Sequence, residues 1–147
     1  MNEEHEEHFD AQLTWVGDMQ FVGRGAQDGP TIVFDADPTV GGGNCGMRPV
    51  ATLLNALASC TAMDVISILR KKHQRVTGFH VNVYATRAEE HPKRLIKAEL
   101  EYVVRGYDVA PEAVARSIEL SLTKYCAVSS SLSAEITRRY RIESETA

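Results

Sequence analysis

Pro49-Val-Ala-Thr-Leu-Leu-Asn-Ala-Leu-Ala-Ser-Cys60-Thr-Ala-Met-Asp64-Val-Ile-Ser-Ile-Leu-Arg-Lys-Lys-His73 is the stretch on which the reading of this chain turns. It reads as one long helix. Pro49 suits a first helical position, where its missing N–H would have had no partner in any case. Arg70, Lys71 and Lys72 place positive charge at the carbonyl end of the dipole. No charge falls between Arg48 and Asp64, and Val50, Leu53, Leu54, Leu57, Met63, Val65, Ile66 and Leu69 cover more than one face, the mark of a buried helix. At ~1.5 Å per residue it spans roughly 35 Å, the width of a small domain. Its uncharged run falls short of the ~20 residues a bilayer requires and Asp64 interrupts it, so a membrane span is not expected. Near its middle stands Cys60.

The rest of the composition narrows the classes. A chain of 147 residues, 44% hydrophobic and 24% charged with a net charge of −4, is the size and balance of one compact domain, 1–147. A mildly acidic chain with no basic cluster beyond Arg70 to Lys72 is a poor nucleic-acid ligand. Residues 1–8 are polar and rich in Glu, which reads as a frayed terminus rather than a signal peptide, and a cytoplasmic protein is expected. His5-Glu-Glu-His8 lacks the four-residue His spacing of a helical zinc site. Three cysteines, at 45, 60 and 126, form neither a secreted disulfide framework nor a Cys-x-x-Cys pair, so no metal or cofactor is expected.

Around the long helix the period is two. Phe9, Ala11, Leu13 and Trp15 alternate with polar residues; Gly17-Asp18 makes a hairpin turn; Met19 to Gly23 and Thr31 to Asp35 continue a β-meander. Asp37 to Met47, with Pro38 and Gly41-Gly42-Gly43, reads as a loop with little conformation of its own, and no Gly-Lys-Ser follows to make it a phosphate cradle. Cys45 within it reads as incidental. After the helix, Phe79, Val81, Val83 and Ala85 make one strand, and Ile96, Ala98, Leu100, Tyr102 and Val104 make its antiparallel partner. Glu89 to Pro92 is the connecting loop, and Arg87 and His91 are expected to stabilise the turn. Pro111 opens a second, amphipathic helix running to Cys126, and a short helical turn follows. Ala134 to Ile142 is a closing strand. The order is βββαββαβ, an α+β chain with a long buried helix on an antiparallel sheet.

Cys60 and Cys126 stand where two helices packed on one sheet could bring their sulfurs together. A thiol among Leu57, Ala58 and Met63 stays inert unless a cation favours its thiolate. Pro49 with Leu53-Leu-Asn-Ala-Leu-Ala-Ser-Cys60-Thr-Ala-Met-Asp-Val65, Arg87-Ala-Glu-Glu-His-Pro92 and Lys124-Tyr-Cys126-Ala-Val-Ser129 together resemble the OsmC/Ohr family of cysteine-based hydroperoxide reductases, most of all its OsmC-like branch. The resemblance extends from about Leu13 to Ile142, nearly the whole chain. It implies an OsmC-like fold and an intertwined homodimer with active sites at the subunit interface. Cys60 would match the peroxidatic residue and Cys126 the resolving one. Organic hydroperoxides would be the substrates, and a small dithiol or a lipoylated protein the reductant.

The chain also departs from that pattern. The family's Glu near the helix-opening Pro, which pairs with an activating Arg, is replaced here by Val50 and Ala51. Arg48 and Arg24 are the candidates for that Arg, with Arg48 preferred because the glycines before it let it fold over the helix start. Asp64, four residues after Cys60 on the same face, is placed to hold an Arg in the absent Glu's stead; without a partner it would oppose thiolate formation. The missing Glu also motivates an alternative reading, a non-catalytic redox sensor or hydrophobic small-molecule binding module.

Overall fold

The computed structural model describes residues 8–26 and 28–146. The acidic start and most of the His5 to His8 motif lie outside the described residues. The chain divides into two compact units, one ending at Leu53 and the other beginning at Leu54.

The first unit is a three-stranded antiparallel sheet in the order β1 (Gln12–Gly17), β2 (Gln20–Arg24), β3 (Thr31–Phe34). The hairpin turn has Gly17 at φ +121° and Asp18 at φ +48°, conformations that glycine and aspartate tolerate best. The Trp15 indole N–H donates to the Asp18 carbonyl across this turn at 2.9 Å. Phe9 and Ala11, expected in the first strand, precede it: pairing with β2 begins only at Gln12.

Contrary to expectation, the segment from Asp37 to Met47 is built rather than loose. Asp35 accepts N–H bonds from Ala36, Gly43 and Cys45 at 2.7, 3.2 and 3.0 Å. Asp37 caps a short 3-10 turn, Pro38–Val40, by accepting from the Thr39 N–H at 2.8 Å. Two carboxylates thus supply the order that three glycines alone could not.

The second unit holds most of α1 (Pro49–Lys71), then β4 (Arg75–Arg87), β5 (Leu95–Tyr107), α2 (Pro111–Leu120), a π-turn (Ser121–Tyr125), α3 (Ala127–Ser131) and β6 (Glu135–Ser144). Its sheet runs β4-β5-β6, with β4 and β5 antiparallel as expected. β6 lies parallel to β5, pairing Leu100 with Arg138 and Tyr102 with Tyr140, so the sheet is mixed rather than antiparallel throughout. Side-chain alternation marks a strand's faces but not its direction.

Period-two patterning puts Ala98, Leu100, Tyr102 and Val104 of β5 on one face, all fully buried. Leu57, Val65 and Leu69 of α1 and Ala113, Val114 and Ile118 of α2 join them in one core cluster. Each large apolar side chain buried there contributes about 1.5–3 kcal/mol. The opposite face of β5 is ionic: Arg139 bridges Glu99 and Glu101 at 2.6 and 2.9 Å, and Arg105 bridges Glu143 at 2.9 Å.

Within one chain α1 is not buried all round, as its composition suggested. Leu57, Ala58, Thr61, Val65 and Leu69 are covered, while Asn55, Ser59, Met63 and Ser67 form an exposed stripe at helical spacing. By length and composition alone α1 could cross a membrane, with a mean hydropathy of 1.6, even though its uncharged run is short. Its buried stripe, packed into a core shared with β5 and α2, accounts for the same hydropathy.

Candidate active site

Cys60 sits on α1, on the turn that carries Leu57 and Thr61 into the core. Cys126 occupies the junction between the π-turn and α3, with extended backbone at φ −74° and ψ 105°. The helix read from Pro111 to Cys126 therefore ends earlier, at Leu120, and widens by a residue per turn before the cysteine. In the widened turn the Cys126 N–H donates to the Ser121 carbonyl, five residues back, at 2.7 Å.

The Cys126 thiol lies near enough to Cys60 to raise its titration through a hydrogen-bonding and a charge interaction. Both are free; Cys60 is half-buried and Cys126 is 1% exposed. The first residues of α3 face the sulfurs with their N–H groups: those of Val128 and Ala127 favour the Cys60 thiolate, and Ser129 donates to the Cys126 Sγ at 3.3 Å. Ser129 and Ser130 hydroxyls also donate to the Cys126 carbonyl, at 3.1 and 3.0 Å, fixing its peptide plane.

These influences compete at Cys60. The Val128 N–H is the largest single one and favours thiolate, but desolvation and the neighbouring Cys126 together outweigh it, and the Cys60 thiol lies above its ordinary value. No guanidinium figures among the dominant influences.

The other expected site residues are deployed differently. Arg48 forms an ion pair with Asp37 at 2.7 Å and a hydrogen bond to Asn44 at 3.3 Å, so its guanidinium is committed to the loop of the first unit. Arg24 closes β2 opposite Gln12 and Thr31. Asp64 accepts from the Ser121 hydroxyl at 2.8 Å and is bridged by no arginine among the described residues. Arg87 donates to the Lys93 carbonyl at 2.9 Å, the turn-stabilising role expected of it. Cys45 is exposed and its thiol donates to the Gly43 carbonyl at 3.3 Å.

Three residues not singled out from the sequence surround the pair. Thr61 Oγ1 lies 2.8 Å from the Tyr102 hydroxyl and 2.8 Å from the Ser121 Oγ. All three are fully buried. Burial pushes the Tyr102 phenol up to about 12, against the opposing Thr61 hydrogen bond, with Cys126 and Asp64 adding to the rise and Arg138 of β6 opposing it. The one signal available in the sequence was polarity at positions whose helical or strand neighbours are core.

The family profile described as OsmC-like protein matches residues 41–141. Protein YhfA of Escherichia coli K12 is 34% identical over 134 residues, which cover 90% of this chain and 96% of that protein. Among solved structures, a hypothetical protein from Aquifex aeolicus VF5 superimposes with a TM-score of 0.78 at 27% identity, covering 92% of this chain and 96% of that one. An organic hydroperoxide resistance protein from Elizabethkingia anophelis shares the fold, with a TM-score of 0.61 at 14% identity over 92% of this chain and 94% of its own.

Proposed function

The chain belongs to the OsmC-like protein family, and from that premise we propose that it is a thiol-dependent reductase of organic hydroperoxides, with Cys60 as the attacking residue and Cys126 as the resolving one. The observation that carries this reading is the proximity of two free thiols from distant parts of the chain, near enough for one to shift the other's titration, one half-buried and one buried. The Cys60 thiolate attacks the outer peroxide oxygen, the O–O bond breaks, and an alkoxide leaves and takes a proton, so that Cys60 becomes a sulfenic acid. The Cys126 sulfur then attacks the Cys60 sulfur, and the sulfenic oxygen leaves with two protons as water. A dithiol restores both thiols by exchange and is itself oxidised to a cyclic disulfide. A dihydrolipoyl group, free or protein-bound, has the chemistry for that role.

The Val128 and Ala127 N–H groups stabilise negative charge on Cys60. The apolar residues around it, Leu57 and Ala58, favour an alkyl or aryl peroxide over hydrogen peroxide. Leu13, Trp15, Ile32 and Val33 of the first unit and Met63 of α1 are exposed, which supports a homodimer in which a second copy covers them. A cytoplasmic setting would keep the pair reduced between turnovers.

The thiol form of Cys60 is favoured at neutral pH, so the rate of its oxidation should rise about tenfold per pH unit and level off only above the ordinary thiol range of about 8.5. Stopped-flow measurement with cumene hydroperoxide tests this; a plateau below pH 7 would sink the raised-thiol account. That the dominant influences on Cys60 come from N–H groups, burial and Cys126 rather than a guanidinium favours a second reading, a redox sensor that oxidises once without efficient turnover. Treatment with one equivalent of cumene hydroperoxide, followed by peptide mass mapping, separates the two. A rapid Cys60–Cys126 disulfide that reopens with dihydrolipoamide over many cycles supports the enzyme. A disulfide formed slowly and not recycled supports the sensor. Cys60→Ser should abolish the reaction and Cys45→Ser should leave it intact.

A further inference from the structure

Thr61, Ser121, Tyr102 and Asp64 form a buried chain that ties the two cysteine-bearing segments together. Ser121 Oγ is 2.8 Å from both Asp64 Oδ2 and Thr61 Oγ1, and Thr61 Oγ1 is 2.8 Å from the Tyr102 hydroxyl. The Ser121 hydroxyl is placed to donate to both the Asp64 carboxylate and Thr61 Oγ1, and Thr61 shares a further hydrogen bond with the Tyr102 hydroxyl. The carboxylate, which only accepts, makes its bond to Ser121 charge-assisted.

The placement of this chain matters as much as its bonding. Thr61 follows Cys60 on α1. Ser121 opens the π-turn, and its carbonyl receives the Cys126 N–H at 2.7 Å. Ser121 therefore links the two segments by hydrogen bonds to Thr61, next to Cys60, and to Asp64, one turn further along α1. A π-turn left unanchored can relax to the tighter α spacing, which would rotate the cysteine at its end by about a quarter turn.

We propose that the Thr61–Ser121 bond, oriented by Asp64 and closed by Tyr102, is the positioning clamp that holds the π-turn so that Cys126 stays within disulfide-forming reach of Cys60. It rests on the reading of these two cysteines as the peroxide and resolving thiols, and it assigns the four residues to the resolving step rather than to peroxide attack. None of their side chains is among the dominant influences on the Cys60 sulfur.

The test is the thiol–disulfide equilibrium of the full chain in a Cys45→Ser background. The protein is poised anaerobically in glutathione buffers at pH 7, quenched, and the Cys60–Cys126 disulfide is quantified by mass. One protein disulfide forms as one oxidised glutathione gives two reduced molecules, so the readout is an effective concentration of one thiol at the other. Thr61→Val, which keeps the shape and removes the hydroxyl, and Ser121→Ala should each lower it about tenfold or more, whereas Thr61→Ser should stay within about threefold of the parent. In the same variants the initial rate of Cys60 sulfenic acid formation with cumene hydroperoxide, trapped by dimedone, should stay within about threefold of the parent.

An effective concentration within about twofold of the parent in Thr61→Val overturns the clamp, as does an equal loss in Thr61→Ser, which would assign the effect to packing. Should Thr61→Val and Ser121→Ala fail to fold, the half-buried Asp64→Asn decides: a fall of about threefold or more supports the clamp and no change overturns it. A parent protein that ignores cumene hydroperoxide would remove the peroxidase reading while leaving the glutathione equilibrium fully readable.

Discussion

The two units solve the problem of holding shape in different ways. Beyond Leu54, fourteen hydrophobic residues are buried, among them Leu57, Leu100, Tyr102, Val104 and Ile118. In the first unit, the one buried residue among those described is an aspartate, Asp35. Its sheet leaves Leu13 60%, Trp15 65% and Ile32 48% exposed. One unit is held by a core, the other by turn hydrogen bonds and strand pairing. A three-stranded sheet with exposed apolar residues is marginal by itself, and the contrast supports the proposal that a second copy of the chain covers them.

The sharpest way to break that contrast is to remove equal volume from each unit. Leu57→Ala should destabilise the protein by about 3–5 kcal/mol at any concentration, because it opens a cavity in a filled core. Leu13→Ala should cost less than about 0.5 kcal/mol in dilute protein, where its side chain already meets water. It should become costly only at concentrations where the chain self-associates. Urea denaturation at two protein concentrations, with sedimentation of the same samples, reads both. A concentration-independent loss of several kcal/mol in Leu13→Ala would mean that the first unit has a core of its own.

The contrast also explains what could be read from the sequence. Core strands alternate strictly, so β4 and β5 were legible from Phe79 to Ala85 and from Ala98 to Val104, and Pro49 and Pro111 announced both helices. The π-turn was not legible: Val114, Ile118, Ser121, Leu122 and Tyr125 keep an acceptable helical spacing straight through it, and one inserted residue does not disturb a pattern only a turn long. The parallel pairing of β6 escaped because it depends on where α2, the π-turn and α3 return the chain. The buried hydroxyls of Thr61 and Ser121 escaped because each has its partners 41 to 60 residues away. At Asp37 to Val40, just before the three glycines, Asp-Pro-Thr is itself a capping signal.

A smaller effect tests the polar part of the second unit's core. Tyr102 titrates at about 12 rather than the ordinary 10.0, chiefly because burial disfavours the phenolate. The folded form therefore holds its proton more tightly than the unfolded form. The associated stability is fully present below pH 10 and is lost as pH rises to about 12, a loss of about 3 kcal/mol for two units. Other groups titrate in this range, so the quantity to measure is the difference in alkaline stability between the parent and Tyr102→Phe. The parent should lose about 3 kcal/mol more than the variant over that window; parallel curves would show that the phenol is not shut away from water.

The smallest effect is confined to the first unit and asks whether its order is local. Asp35 accepts N–H bonds from Cys45, Ala36 and Gly43, with a further hydrogen bond from the Gln20 side chain, and these hold its carboxyl below the ordinary aspartate value of 3.8. A group depressed in the folded state contributes above its unfolded pKa and loses that contribution as pH falls through the folded one. Protection of the Gly43 and Cys45 amides against hydrogen exchange should therefore persist at neutral pH and fall away only in acid below pH 3.8. Asp35→Ala should remove about tenfold of that protection already at pH 7. The amides of Val83 and Leu100, paired in the β4–β5 ladder, should keep theirs in the same sample. Simultaneous loss at both places would mean that the carboxylate supports the whole chain cooperatively, and that the division into a cored and an uncored unit does not extend to stability.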